Sequence, residues 1–111
     1  MIYLLSCGFK FGKPMANFFF DVSYLKNPWR EKHLRHGKKE EIDKFMESQK
    51  EFKKIVSSIS QLIITYARLF PKEKMIFAIC CSAGEYRSPM VVKKISNILN
   101  KNKIIHTIID F

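Results

Sequence analysis

The chain reads as an α/β fold: a mainly parallel four-stranded sheet with packed helices, in the order β-β-α-β-α-β, as a single domain over residues 1–111. Three observations predict this. Four short apolar runs have the length and β-branched or aromatic character of strands. Between the second and third, apolar residues recur every three or four positions, the helical period. The third run passes through a short polar loop into another helical pattern, and strand–helix–strand alternation argues a parallel sheet.

Residues 2–6 form the first apolar run and residues 18–22 the second, with turn residues Gly8, Gly12 and Pro14 between them. Residues 23–40 look irregular, and Asn27-Pro28 signals a turn. One long helix follows. Its stripe runs through Ile42, Phe45, Met46, Phe52, Ile55, Val56, Ile59, Leu62, Ile63, Tyr66 and Phe70, and Pro71 ends it. Lys44, Glu47, Lys50, Lys53 and Lys54 mark the opposite face. A stripe of this kind serves a core or a dimer seam. Residues 75–80 are almost continuously apolar, as a central parallel strand is. Ser88 is suited to cap the next helix and Pro89 to open it. Val91, Val92, Ile95, Ile98 and Leu99 give that helix a buried face. Residues 100–103 turn the chain, and Ile104 to Ile109 reads as the last strand.

A length of 111 residues fits one core, and 47% hydrophobic residues suffice to pack it. No apolar run approaches the roughly 20 residues that cross a bilayer. The apolar start, Met1 to Leu5, lacks the basic flank of a signal peptide. A cytoplasmic protein with no membrane partner is expected. Cys7, Cys80 and Cys81 are odd in number and two are adjacent, so reduced thiols are expected rather than a disulfide framework. No Cys/His spacing suggests a metal, and no cofactor is expected. The net charge of +10 favours an acidic partner, nucleic acid or a phosphorylated small molecule. The densest basic stretch carries Lys26, Arg30, Lys32, Arg35, Lys38 and Lys39, with His33 and His36. It reads either as a solvated loop or as a surface facing RNA or ligand.

The most informative segment is Cys81-Ser82-Ala83-Gly84-Glu85-Tyr86-Arg87-Ser88, set between a strand and a helix N-terminus. Loop amides and first-turn N–H groups converge there on one concavity, and the helix dipole favours an anion. Arg87 adds a planar fork suited to phosphate oxygens. Cys81 sits at the mouth of the same concavity, where a thiol is expected to be acidified. In a parallel sheet the ligand lies beyond the carboxyl ends of the strands. Ser6 to Lys10, Asp21 to Tyr24 and the stretch after Ile109 therefore become neighbours of this loop. Gly8, Gly12 and Lys13 do not form a nucleotide P-loop: the spacing is one residue short, and Pro14 stands where a magnesium-binding hydroxyl is needed. His106, alone in the last strand, reads as structural. Trp29 reads either as a stacking platform for a base or as packing over the sheet edge.

The Cys81–Ser88 loop resembles the signature of cysteine-dependent phosphatases. That resemblance implies Cys81 as nucleophile, Arg87 as phosphate clamp and Ser88 as an aid to thiolate departure. A general acid is then required, for which Asp21 is the candidate. Cys80 stands where that family has His. A second resemblance spans most of the chain. Ser6 to Gly12, Phe20 to Trp29, Leu34-Arg35, the Cys81 loop and His106 resemble, in that order, the C-terminal domain of the RapZ family of bacterial RNase adapters. It implies binding of an amino-sugar phosphate and of regulatory small RNA. The family loop reads Gly-Cys-Thr-Gly-Gly-x-His-Arg-Ser. Here Cys80, Ser82, Ala83 and Tyr86 replace its first Gly, its Thr, the next Gly and its His. The nucleotide-binding domain of that family has no counterpart in these residues, so nucleotide hydrolysis is not expected.

The expectation is a stand-alone binding domain. The loop from Cys81 through Ser82, Ala83, Gly84, Glu85, Tyr86 and Arg87 to Ser88 holds the phosphate of a phosphosugar or nucleotide. Ser6, Lys10 and Asn27 approach from neighbouring strand ends. The protein then acts as a sensor, adapter or ligand sponge, with RNA and a second copy of the chain as further partners. The alternatives are a phosphatase using Cys81, Arg87 and Asp21, and a basic RNA-binding module.

Overall fold

A computed structural model describes residues 1–111. The order is β1 (Ile2–Gly8), β2 (Phe18–Asp21), α1 (Lys39–Ser48), α2 (Lys50–Leu69), β3 (Met75–Cys81), α3 (Arg87–Lys101) and β4 (His106–Asp110). Short 3-10 turns occupy Phe9–Phe11, Pro28–Arg30 and Lys32–Leu34. The sheet runs β2-β3-β1-β4, and every neighbouring pair is parallel. This is the α/β class read from the sequence.

The topology explains where the helices lie. Parallel crossovers are right-handed. The steps β2 to β3 and β3 to β4 move across the sheet in the same direction, so α2 and α3 fall on the same face. Leu4, Phe77 and Ile79 meet Val56, Ile59, Ile63, Val91, Ile95 and Leu99 there in one buried cluster. The amphipathic stripe of α2 is thus core. The step from β1 to β2 runs the other way, and residues 9–17 cross the opposite face. Ala16 packs there on Leu5, Cys7, Ala78 and Cys80.

Several local expectations are corrected. The predicted long helix is two, broken at Gln49, whose backbone is extended at φ −78° and ψ 119°. The side chain of buried Gln49 explains the break. Its Oε1 accepts from the Lys26 N–H at 2.9 Å and its Nε2 donates to the Lys26 carbonyl at 3.4 Å. A loop peptide buried against a helix needs both partners, and Gln49 supplies them by leaving helical geometry. Ser88 is not an N-cap: it lies inside α3, Tyr86 holds the cap position, and no side chain caps the helix. The expectation of reduced thiols fails for two of the three cysteines. Cys7 and Cys80 are register partners on neighbouring strands, with Cα atoms 4.5 Å apart, and form a disulfide. Only Cys81, on the other face of β3, stays a free thiol, and it is buried. His106 is a satisfied structural residue, with Nε2 2.6 Å from Ser96 Oγ and Nδ1 2.8 Å from the Ile104 carbonyl.

The loop after β3 is seated by two glycines. Gly84 has φ 74°, which only glycine adopts freely. A Cβ on Gly8 would lie 2.5 Å from the carbonyl carbon and oxygen of Ala83, and one on Gly84 would lie 2.9 Å from Gly8 N. The end of β1 and the loop therefore touch backbone to backbone, and Lys10 N–H donates to the Ser82 carbonyl at 3.1 Å beside the contact.

Three outcomes follow. Unfolded without reductant, the chain alkylates at one thiol, and after reduction at three. Replacing Cys7 and Cys80 together with Ser lowers stability by about 2–4 kcal/mol, read as a reduced urea midpoint. Gly8→Ala, which drives a methyl into unyielding backbone, costs about 1–3 kcal/mol and slackens the loop, seen as faster amide exchange at residues 82–86.

Candidate functional site

Beyond the carboxyl ends of β1 and β3 lies a cavity of about 370 Å³, lined by Lys10, Asn27, Trp29, Cys81, Ala83, Glu85, Tyr86 and Arg87. Its floor is the loop between β3 and α3. Its walls come from the turn after β1 and from the irregular segment after β2.

Arg87 opens α3 at the base of the cavity and is only 7% exposed. Its Nη1 donates to the Ser23 carbonyl at 2.6 Å and the Leu25 carbonyl at 3.2 Å, and Nη2 donates to Ser82 Oγ at 3.3 Å. The guanidinium therefore draws the turn after β2 onto the loop. None of these partners carries a charge, and no carboxylate pairs with Arg87. A guanidinium has five donors, so Nε–H and one Nη2–H remain unspent. The amides of Ala83, Glu85, Tyr86, Arg87 and Ser88 also have no protein acceptor. A buried cation thus sits at a helix N-terminus among free amides, and unspent donors are concentrated at the base of the cavity.

Cys81 is buried at the start of this loop. Its Sγ accepts from the Gly84 N–H at 3.2 Å and lies 3.3 Å from Ser88 Oγ. Ser88 Oγ also meets the Cys7 carbonyl at 3.1 Å and Ser6 Oγ at 3.3 Å. Ser6 and Ser88 thus form a buried polar tie beneath the loop and do not line the cavity. Ser82 is exposed beside it, turned toward Arg87. Glu85 reaches Lys10 at 3.9 Å across the mouth, with both side chains more than half exposed.

Asn27 Oδ1 accepts from the Trp29 N–H at 3.1 Å, while its Nδ2 has no protein partner. That cap starts the 3-10 turn that sets Trp29, 46% exposed, in the cavity wall. The Arg35 guanidinium lies 5.5 Å from the indole, Arg35 Nε donates to the Trp29 carbonyl at 2.8 Å, and the His36 ring meets the indole edge-on at 6.2 Å. Lys26, Arg30, Lys32, Lys38 and Lys39 are exposed around this segment and outside the lining. Asp21 is outside it as well. Its carboxylate binds the Ser23 N–H at 2.9 Å and the Ser23 hydroxyl, and it borders a separate groove against α2.

The sequence offered Trp29 only as one of two alternatives and did not assign Gly8 its part in seating the loop. The Asn27-Pro28-Trp29 turn signalled the first, because a side-chain cap followed by Pro fixes the next residue's direction. Nothing local signals the second, since the partner of Gly8 is distant in sequence.

A family model described as the RapZ C-terminal domain matches residues 1–110. The chain is 33% identical over 109 residues to a nucleotide-binding protein of Caldicellulosiruptor saccharolyticus, covering 92% of this chain and 37% of that protein. It is 34% identical over 104 residues to one of Shewanella loihica, covering 88% and 37%. It is 30% identical over 112 residues to the nucleotide-binding protein YvcJ of Bacillus subtilis, covering 95% and 38%. The chain therefore spans less than two fifths of the length of these relatives. With the loop, the seating glycines and the match over nearly every residue, the chain belongs to the RapZ C-terminal domain family.

Proposed function

We propose that the chain binds a phosphorylated small molecule, with the phosphate held by the Cys81–Ser88 loop and the remainder against Trp29 and Tyr86. The observation that carries this reading is Arg87: a buried guanidinium with unspent donors and no carboxylate. Burying an uncompensated charge is costly, and an anionic ligand removes the cost. Lys10 and the Asn27 amide supply further donors at the mouth. A phosphosugar and a nucleotide both match an anion pole with a flat wall beside it. The relatives' names point to a nucleotide, but most of each relative lies outside the matched region, so the reading rests on the cavity. The exposed cations at Lys26, Arg30, Lys32, Lys38 and Lys39 suit the phosphates of RNA, contributing affinity with little base selectivity. A binding domain of this kind works as a sensor or adapter, with ligand occupancy as its signal.

A second reading has a specific observation behind it. Cys81 Sγ, with the Gly84 amide and the Ser88 hydroxyl beside it, lines the same cavity as Arg87, the pair of groups that a cysteine-dependent phosphatase needs. Against turnover, Asp21 is outside the cavity and bound to Ser23, and no acid other than Glu85 lines the site.

The test is calorimetric titration with phosphosugars, nucleotides and inorganic phosphate, followed by analysis of the recovered ligand. Arg87→Ala is expected to weaken binding by about 2–3 kcal/mol, the scale of a hydrogen bond to a charged group. Arg87 also holds the carbonyls of Ser23 and Leu25, so Arg87→Lys, which keeps the charge without the fork, is measured beside it. Cys81→Ser should bind within a few-fold of wild type, and the ligand should return intact. Dephosphorylated ligand that Cys81→Ser returns intact would establish the phosphatase instead. Undiminished binding in both Arg87 variants would sink the phosphate reading.

A further inference from the structure

The cavity holds a thiol and a guanidinium without a carboxylic acid at its floor. Cys81 lines it together with Arg87, which is 7% exposed and keeps Nε–H and one Nη2–H unspent. The Cys81 sulfur accepts from the Gly84 N–H at 3.2 Å, and the amides of Ala83, Glu85, Tyr86, Arg87 and Ser88 have no protein acceptor. Asp21 is bound to Ser23 and borders another groove. Glu85 meets Lys10 at the mouth, with its side chain 57% exposed.

That combination selects a class of reaction. Moving a phosphoryl group off a sugar or nucleoside ester expels an alkoxide, which must take a proton as it leaves. An acyl phosphate, the mixed anhydride of a carboxylic acid and phosphoric acid, expels a carboxylate instead. With a pKa of about 4, a carboxylate leaves as the anion at neutral pH and needs no acid. The second half of a phosphatase cycle, attack of water on a sulfur-bound phosphoryl group, needs a base beside the incoming water. Glu85 is the one carboxylate in the lining, and it is engaged by Lys10. The sulfur lies in a residue only 1% exposed, so little water reaches it.

We propose that Cys81 accepts a phosphoryl group from acyl phosphates and that the phosphorylated thiol persists. The proposal rests on the phosphate reading of the same loop and names the compounds that react there rather than only bind. The Cys81 sulfur forms a bond to phosphorus, and the anhydride P–O bond breaks with its electron pair leaving on the carboxylate. The thiol proton, which faces Ser88 Oγ at 3.3 Å, passes to solvent. Arg87 and the free amides then hold the phosphoryl oxygens. Sugar and nucleoside phosphates occupy the same loop and are released unchanged. Cys81 is the one thiol free to react, since Cys7 and Cys80 are bridged.

Acetyl phosphate is the probe, read by intact mass and by phosphorus NMR of the denatured protein, which distinguishes phosphorus on sulfur from phosphorus on nitrogen or oxygen. Wild type is expected to gain one phosphoryl group, and Cys81→Ser none. Arg87→Lys should slow labelling by at least about tenfold, the scale of one contact to a charged group. Excess inorganic phosphate should protect the thiol, and glucose 6-phosphate should leave no label. Label spread over lysines and equal in Cys81→Ser would overturn the proposal. So would label that is lost as fast as it forms, which is turnover. Calorimetry with inorganic phosphate on the same protein separates the two possible failures. Phosphate binding without labelling overturns this proposal alone, whereas the absence of both overturns the phosphate reading with it.

Discussion

Arg87 carries a full charge in a place that water scarcely reaches, and the surroundings answer that charge with dipoles rather than with a carboxylate. Two carbonyls from the turn after β2 and one hydroxyl from the loop hold it. The orientation of α3, the path of residues 22–29 and the shape of the cavity all depend on this attachment. A carboxylate in the same position would have neutralised the guanidinium and left an ordinary turn between strand and helix. Carbonyl dipoles fix its position while leaving its charge unspent. The same side chain that organises the loop therefore also lines the cavity with its charge unpaired.

That arrangement requires the loop to lie almost on the end of β1. Gly8 and Gly84 permit it, because neither presents a Cβ to the other's backbone. The sheet order supplies the rest. β1 and β3 are neighbours, so the turn after one and the loop after the other emerge side by side. The segment after β2 arrives from the far side of β3 and closes the cavity. Gln49 anchors that segment by both polar groups of the Lys26 peptide, so the break between α1 and α2 belongs to the support of the site.

Features carried by a local pattern were legible in the sequence. The strands were placed within a residue or two, and Cys81–Ser88 stood out because a strand, Gly, Arg, Ser and Pro follow one another in the order a loop and helix entry require. Features set by distant partners were not. The period of the apolar stripe runs straight through Gln49, since nothing local reveals that a loop peptide will need its side chain. Ser88 has the chemistry of a helix cap, but a buried tie with Cys7, Ser6 and Cys81 won it instead. Adjacent cysteines argue against pairing with each other and say nothing about Cys7, which becomes the neighbour of Cys80 only once β1 and β3 are in register.

The bridge between β1 and β3 has a topological meaning apart from the energy it supplies. Cys7 and Cys80 lie 73 residues apart and close a covalent ring that holds β2, α1, α2 and the basic segment. A protease cutting anywhere within that ring produces two pieces that stay tethered across adjacent strands. The backbone can thus be severed at the exposed turns around residues 30–38 without the halves diffusing apart, and the cavity floor and the wall bearing Trp29 remain parts of a single molecule.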